Sequence, residues 1–319
     1  MFPALIRLLG AALVVVLCSA CGTPSQTAAL PTQPPTRVVP ATATFVPVVT
    51  ATPSPAPTYT PTVPPTRTPT PTVTPTRTAT PGPTPDGELR RARVPILMYH
   101  YVSEPPPDAD IYRRDLSVTP ARFESHLRAL RDAGYQTIPL ADLLSHLATG
   151  RPQLPARSVV LTFDDGYVDI YENAFPLLLQ YGFTGTIFAI TDFVDMQRPG
   201  YATWEQLAEM HAAGIDIGSH SRDHSNLAAR DIDFLVWQAL GSRQMIESRL
   251  GFTPRLFCYP AGQYDDLTIQ VVRSADFWGA VTTQQGVMHV SDAPFELARV
   301  RVRGSHTAAD VLRLLESDW

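Results

Sequence analysis

Residues 159–165 read Val-Val-Leu-Thr-Phe-Asp-Asp, a run of apolar and β-branched residues that ends in two carboxylates. A short run of this kind is typical of a strand buried on both faces of a parallel sheet. Eight such runs alternate with helical patterns, and they predict strands at residues 94–99, 135–138, 158–163, 184–190, 215–218, 255–259, 279–282 and 297–302. This alternation indicates an α/β fold with a parallel sheet.

Helices are predicted between the strands, where apolar residues recur with helical spacing. They cover residues 120–133, 140–148, 171–181, 204–213, 229–250, 265–274 and 308–315. Polar or special residues directly follow several strands: His100, Asp164, Asp165, His220 and Pro260. Eight strands in one domain favour a closed barrel over an open doubly wound sheet, and the carboxyl ends of barrel strands form the catalytic face. The sequence therefore predicts an α/β fold, a distorted (β/α) barrel of seven or eight parallel strands.

The chain begins with a segment that belongs to no folded domain. Arg7 precedes an apolar run at residues 8–17, which is too short to span a bilayer and is typical of a secretory signal. The run leads into Cys18-Ser19-Ala20-Cys21, which resembles the lipobox of bacterial lipoproteins except that Cys18 stands where leucine is usual. Residues 1–21 are therefore expected to be a signal peptide ending at a lipidated Cys21, which would anchor the protein in the membrane at the cell surface. Plain secretion is the alternative.

The remainder divides into a linker and one domain. Residues 22–87 consist largely of Thr, Pro, Ala and Val, a composition that predicts a disordered tether. Residues 88–319 are long enough for one α/β domain, the predicted catalytic domain, and a monomer is expected. The chain has no lysine, which excludes Schiff-base and P-loop chemistry, and its net charge of -5 does not suggest nucleic-acid binding. Cys258 is the only cysteine after Cys21, so no intrachain disulfide is expected in the mature domain.

Two carboxylates and two histidines have the composition of a metal site. His220 and His224 are four residues apart, which brings them together either on one helical face or across a tight loop. One carboxylate with two imidazoles can bind a first-row metal and leave a position open, and a second carboxylate can act as a base. Because neighbouring residues that leave a strand point to opposite sides, one of Asp164 and Asp165 is expected to bind the metal while the other faces substrate. Taken alone, the aspartates could be a helix cap with a solvated neighbour, and the histidines could be surface residues.

The ordered set of motifs resembles a known family, the polysaccharide deacetylases of carbohydrate esterase family four. The shared motifs are Thr-Phe-Asp-Asp at 162–165, His-Ser-Arg-Asp-His at 220–224, Pro-Ile-Leu-Met-Tyr-His at 95–100 and Tyr-Pro-Ala-Gly at 259–262. The resemblance covers about residues 94–317 and is closest to the branch that acts on poly-N-acetylglucosamine.

The resemblance implies a role for each motif. Asp165, His220 and His224 would hold a divalent metal, with zinc the first candidate and cobalt, nickel or manganese the alternatives. Asp164 would be the general base that takes a proton from the attacking water. The backbone N–H of Ala261 would donate to the oxyanion, and Tyr259 of the Tyr-Pro pair would lie at the substrate.

Two departures from the common family pattern concern the base and the acid. Cys258 stands where most members have an arginine that orients the base, and Arg299 in the last predicted strand could reach Asp164 instead. The alternative is a surface arginine on an edge strand. The C-terminal histidine that usually serves as the general acid is also missing. In the poly-N-acetylglucosamine branch the acid histidine lies on the first strand, and the resemblance therefore implies that His100 is the general acid. The alternative is a histidine held at the barrel mouth for structural reasons.

The predicted function is metal-dependent hydrolysis of N-acetyl groups on an extracellular N-acetylglucosamine polymer, such as poly-N-acetylglucosamine, peptidoglycan or a chitin-like chain. O-deacetylation of acetylated xylan and an inactive sugar-binding module are the alternatives. A glycosidase is disfavoured because adjacent aspartates cannot flank a glycosidic bond at the required ~5–9 Å separation. Tyr167 and Trp204 could stack on sugar rings, although aromatic residues at helix starts are more often core.

Overall fold

The computed structural model describes residues 82–317 and 319. The predicted signal peptide, Cys21 and the predicted linker up to residue 81 lie outside the described residues. No helix in the described part of the chain combines the length and apolar character that a bilayer crossing requires.

Seven parallel strands close into a barrel. They follow one another in the order β2 (Ile96–Tyr99), β10 (Leu297–Arg301), β8 (Gly279–Gln285), β7 (Leu256–Cys258), β6 (Asp216–Ser219), β5 (Thr186–Ala189) and β4 (Ser158–Phe163). A parallel pairing of β4 with β2 closes the ring. The prediction of a distorted (β/α) barrel is confirmed.

The predicted strand at residues 135–138 is not part of this ring. Only β3 (Gln136–Thr137) forms there, and it pairs with Ser158 and Val159 at the start of β4. It stays short because β4 pairs with β5 from Thr162 onward. A separate antiparallel pair, β1 (Arg91–Arg93) and β9 (Met288–Val290), was not predicted, since three residues are too few to show an alternating pattern.

Nine α-helices lie in the described part of the chain: α1 (Ile111–Leu116), α2 (Pro120–Asp132), α3 (Leu140–Thr149), α4 (Phe175–Tyr181), α5 (Thr191–Asp195), α6 (Trp204–Ala212), α7 (Ile232–Leu250), α8 (Asp266–Ser274) and α9 (Ala308–Glu316). All seven predicted helices are present. The start predicted for α7 at residue 229 is wrong, because Asp231 caps the helix by accepting a hydrogen bond from the Phe234 N–H. The short helices α1 and α5 were not predicted.

The barrel interior changes from apolar to polar towards the carboxyl ends of the strands. Side chains on one face of a strand recur every second residue, so columns of side chains rise through the barrel. One buried apolar cluster includes Ile96, Val160, Leu256 and Leu297. Thr162, Cys258 and Arg299 each lie two residues further along one of these strands, and none of them has exposed surface. Asp164 continues the β4 column, so the fold places a buried arginine beneath a buried aspartate.

A buried histidine ties α2 to the segment before α9. Nδ1 of His126 accepts a hydrogen bond from the Tyr99 hydroxyl at 3.3 Å, and its Nε2–H donates to the His306 carbonyl at 2.9 Å. Burial lowers the pKa of His126 from its ordinary 6.5 to about 4. The ring is therefore neutral in the folded protein at pH values where it would be charged in the unfolded chain.

This histidine is expected to make stability depend on pH. Because the folded pKa is the lower one, its contribution is fully present above about pH 6.5 and is lost as the pH falls to about 4. The change amounts to at most roughly 3 kcal/mol. Urea denaturation between pH 7 and pH 4 should give a flatter profile for His126→Gln than for the wild type. The control, His146→Gln on partly exposed α3, should keep the wild-type slope, and an unchanged slope in His126→Gln would contradict the assignment.

Candidate active site

The residues predicted to bind a metal come together at the carboxyl ends of β4 and β6. Oδ1 of Asp165 lies 3.4 Å from Nε2 of His220 and 3.4 Å from Nε2 of His224. Asp165 and His220 are buried, whereas 35% of the His224 side chain is exposed. The three side chains therefore face one small space that is reached from solvent beside His224.

Left-handed backbone conformations bring these side chains together. The φ angle is 72° at Asp165, 63° at Ser221 and 64° at His224, a region that residues other than glycine rarely occupy. The two imidazoles meet across a tight loop and not on a helical face. Ser221 braces this loop: its Oγ accepts from the His224 N–H at 3.1 Å, and its own N–H donates to Ser219 Oγ at 3.1 Å. Backbone strain of this kind is concentrated at functional sites.

Each aspartate belongs to its own group of candidate ligands around His220. Potential ligand atoms of Asp164, His220 and Cys258 lie within 4.8 Å of one another, and so do those of Asp165, His220 and His224. The left-handed φ at Asp165 takes that residue out of the extended conformation of the strand.

The donor set fits a divalent cation. The Nδ1–H of His220 donates to the Cys258 carbonyl at 2.8 Å, so Nε2 is the ring nitrogen that faces Asp165. An imidazole oriented through its second nitrogen is characteristic of metal-binding histidines. Burial acts to raise the pKa of Asp165, but His220 and its neighbouring histidines hold it below the ordinary value. The group Asp165, His220 and His224 could thus present one anionic oxygen and two imidazole nitrogens to a metal.

Arg299 forms a buried ion pair with Asp164. Its Nη1 and Nη2 each donate to a different oxygen of Asp164 at 2.7 Å, a bidentate pair inside the barrel. The other donors are also satisfied, by Thr282 O (2.8 Å), Thr162 Oγ1 (3.1 Å) and Cys258 Sγ (3.3 Å). Burial acts to raise the pKa of Asp164, but Arg299 holds it well below its usual range. The alternative of a surface arginine on an edge strand is wrong.

His100 lies directly after β2, beside Asp164. Its Nε2 is 3.9 Å from Oδ2 of Asp164, and only 13% of its side chain is exposed. Its Nδ1 is buried and has no hydrogen-bond partner among the described residues. Burial lowers the pKa of His100, while Asp164 and Asp165 act in the opposite direction. The ring therefore lies beside the Asp164 carboxylate at the carboxyl end of the barrel.

The side chain of Tyr259 does not reach the substrate face, contrary to the prediction. It is fully buried in an outer cluster with Phe257 and Phe277. Because Cys258 points into the barrel, Phe257 before it and Tyr259 directly after the end of β7 both pack in the outer cluster. The backbone N–H of Tyr259 is also occupied, since it donates to Val281 O at 3.3 Å.

Ala261 remains compatible with an oxyanion donor. It is exposed, has a left-handed φ of 51°, and its N–H makes no hydrogen bond to any described residue. The turn is fixed by the next residue: a Cβ at Gly262, whose φ is 68°, would lie 2.0 Å from Thr283 Oγ1. Only glycine allows this close approach, which holds the Ala261 peptide in place.

Several contributors to the site were not anticipated. Thr162 and Cys258 contact the Arg299 guanidinium, and the Cys258 carbonyl orients His220. The inward direction of Thr162 was predictable from the sequence, because Thr162 stands two residues before Asp164 and side chains two residues apart on a strand share a face. Trp204, considered as a sugar platform, packs against the core and donates its indole N–H to Asp195 at 3.2 Å.

The fold and the site together define a β/α-barrel protein with a buried aspartate–arginine pair, a neighbouring histidine and a candidate metal centre at the carboxyl ends of its strands. The family model for polysaccharide deacetylase matches residues 151–279, which contain both motifs of the candidate metal site. YxkH of Bacillus subtilis, whose name assigns it provisionally to the polysaccharide deacetylases, is 32% identical over 211 residues, covering 66% of this chain and 72% of that protein. The chain belongs to the polysaccharide deacetylase family.

Two further relatives extend the comparison. Poly-β-1,6-N-acetyl-D-glucosamine N-deacetylase of Escherichia coli is 22% identical over 220 residues, which are 56% of this chain but only 33% of that protein. The structure of the Streptococcus pyogenes deacetylase PplD in complex with acetate superposes with a TM-score of 0.65 at 25% identity, covering 72% of this chain and 100% of the chain in that structure. The family makes this chain a deacetylase-type hydrolase with an acetylated polysaccharide as its class of substrate.

Proposed function

We propose that this protein removes N-acetyl groups from an extracellular N-acetylglucosamine-containing polysaccharide, using a divalent cation held by Asp165, His220 and His224. Zinc is the first candidate because a carboxylate and two imidazoles leave a fourth position open in its preferred tetrahedral geometry. The name of the Escherichia coli relative supports an N-acetylated substrate, and the acetate in the PplD structure supports release of an acetyl group.

One observation carries the proposal. The Asp165 carboxylate lies 3.4 Å from both imidazoles, while the neighbouring Asp164 is kept ionised by its buried ion pair with Arg299. One aspartate is therefore suited to bind a metal and the other to accept a proton. An inactive sugar-binding module would have no need to bury both the arginine and the aspartate.

The side chains divide the work of amide hydrolysis. A divalent cation at this site would supply Lewis-acid chemistry, making water more acidic and polarising a carbonyl. Asp164, fixed by Arg299, would take the proton of the attacking water. The Ala261 N–H would donate to the developing oxyanion, and His100 would give a proton to the leaving amine.

The anchoring of the enzyme belongs to the same proposal. The signal-like residues 1–21 and the Pro/Thr-rich residues 22–87 would tether the catalytic domain outside the membrane through a lipidated Cys21. Fractionation of cells that express the full chain tests this part, since a protein found only in the cytosol would contradict it.

Removal of metal is expected to abolish activity. Acetate release from N-acetylglucosamine oligosaccharides should fall at least about 100-fold after dialysis against a chelator, because the Lewis acid contributes several kcal/mol to the barrier. Addition of zinc should restore it. Acetate and free amine, measured together, identify N-deacetylation, while acetylated xylan as a second substrate tests O-deacetylation.

The control compares two histidines. His224→Gln should lose bound metal, measured by elemental analysis, whereas His211→Gln on α6, where the ring stacks on Phe252, should keep it. Chelator-resistant acetate release, or full metal content in His224→Gln, would rule out the proposed centre.

A further inference from the structure

A cavity of about 420 Å³ opens beside the candidate metal site. Its wall includes Tyr167, two residues after Asp165, together with Tyr101 and Tyr201. Its volume falls within the range of ligand-binding clefts. No residue of this cavity has a role in the hydrolysis proposed above.

The three tyrosines form a continuous stack. The rings of Tyr101 and Tyr167 are 3.8 Å apart with an interplanar angle of 21°, and the ring of Tyr201 lies 5.1 Å from that of Tyr167. The backbone fixes this stack to the site, because the Ala202 N–H donates to the Gly166 carbonyl at 2.9 Å. Burial raises the pKa of all three hydroxyls, and the Asp165 carboxylate raises it further. The cavity therefore lies next to the candidate metal site.

The charges along the cavity are predominantly positive. Arg113 and Arg198 both line it, and Asp169 is the single carboxylate in the lining. Asp169 is already engaged, since its Oδ2 accepts from the Ser103 hydroxyl at 2.5 Å. Arg113 donates to that same hydroxyl at 3.1 Å and lies 3.2 Å from the centre of the Tyr101 ring. Arg113 thus compensates Asp169, and the charge of Arg198 is left in excess.

Arg198 lies at the rim of the cavity, where its guanidinium stacks on aromatic rings. It lies 4.2 Å from the centre of the Phe193 ring and 5.4 Å from that of Tyr201. In the described part of the chain no carboxylate lies within ion-pair distance of it. Stacking on rings leaves the guanidinium edge free to bind a carboxylate in bidentate fashion.

We propose that this cavity binds the sugar next to the one whose acetamide reacts, and that Arg198 selects polymers that carry a carboxylate on that neighbouring sugar. The inference rests on the proposed deacetylase function and specifies its substrate class. The chain as a whole has a net charge of -5, which disfavours acidic polymers, so a local positive rim is required to bring one to the site.

The test uses two substrates that differ only in charge. One is a hexasaccharide in which N-acetylglucosamine alternates with a carboxylate-bearing sugar, and the other is the same molecule with its carboxyl groups reduced to alcohols. For the wild type, kcat/KM for acetate release should be about tenfold higher on the acidic form, as expected for a charge-assisted hydrogen bond. Arg198→Gln should lose this preference while keeping its kcat/KM on the reduced form. Added salt should reduce the preference.

The outcomes separate this inference from the proposed function. Arg151→Gln, an exposed arginine that precedes β4 at the opposite end of the barrel, is the matched control and should behave like the wild type. Equal rates of the wild type on both substrates, or an equal loss on both in Arg198→Gln, would overturn the inference while leaving the deacetylase proposal intact. Acetate release from neither substrate would contradict the deacetylase proposal itself.

Discussion

Replacement of Asp164 by asparagine is expected to lower kcat for acetate release by about 10³-fold, because an amide cannot accept the proton of the attacking water. The change keeps the size and shape of the side chain, and it leaves Asp165, His220 and His224 in place. Metal content should therefore stay at the wild-type level. The expected signature is a loss in kcat with little change in KM.

The neighbouring residue provides the matched control. Asp165→Asn removes a carboxylate from the same loop, but its expected result is loss of bound metal together with loss of activity. Elemental analysis and steady-state kinetics on both variants separate the two roles. If Asp164→Asn kept more than about a tenth of the activity with full metal content, or if it lost the metal instead, the assignment of Asp164 as base would be wrong.

The barrel could be predicted from the sequence because its strands and longer helices carry strong periodic signals. The run at residues 159–165 and its seven counterparts were each found in the right order. The misplaced element is β3 (Gln136–Thr137), whose extent depends on where β4 and β5 pair and not on its own residues. The helices α1 and α5 have six and five residues, too few to show a helical period.

The candidate site was predictable as a set of residues but not as a geometry. The left-handed φ at Asp165 and His224 has no signal in an ordinary propensity pattern, although it determines where both side chains point. The outward direction of Tyr259 was, by contrast, predictable from the sequence, because consecutive side chains alternate along a strand and Cys258 points inwards. The cavity walls at Tyr101 and Tyr201 come from distant parts of the chain, and only the fold brings them together.

Loss of Arg299 is expected to destabilise the fold as well as the chemistry. Arg299→Met removes one partner of a fully buried ion pair and leaves the Asp164 carboxylate inside the barrel without a counter-charge. Breaking such a pair costs about 3–5 kcal/mol. The urea midpoint should fall accordingly, whereas Arg301→Met, two residues later on the same strand and partly exposed, should change stability by less than about 0.5 kcal/mol.

The double variant shows whether the pair itself is the cause. If Asp164→Asn is added to Arg299→Met, the buried carboxylate disappears and part of the lost stability should return, since removal of both charges can be close to neutral. Additive losses in the double variant would contradict this account, because they would indicate that the arginine stabilises the barrel through its other contacts alone.

The pH dependence of Arg299→Met distinguishes a positioning role from simple unfolding. In the wild type, Arg299 outweighs burial and holds the pKa of Asp164 below its usual range, so the base is ionised throughout the neutral range. Without the guanidinium, burial acts unopposed and raises that pKa, so the proton-accepting form becomes scarce at low pH and more abundant as the pH rises. The residual kcat/KM of the folded variant should therefore increase with pH over a range in which the wild type is level. A profile parallel to that of the wild type, at a temperature where both are folded, would show that Arg299 does not control the protonation of the base.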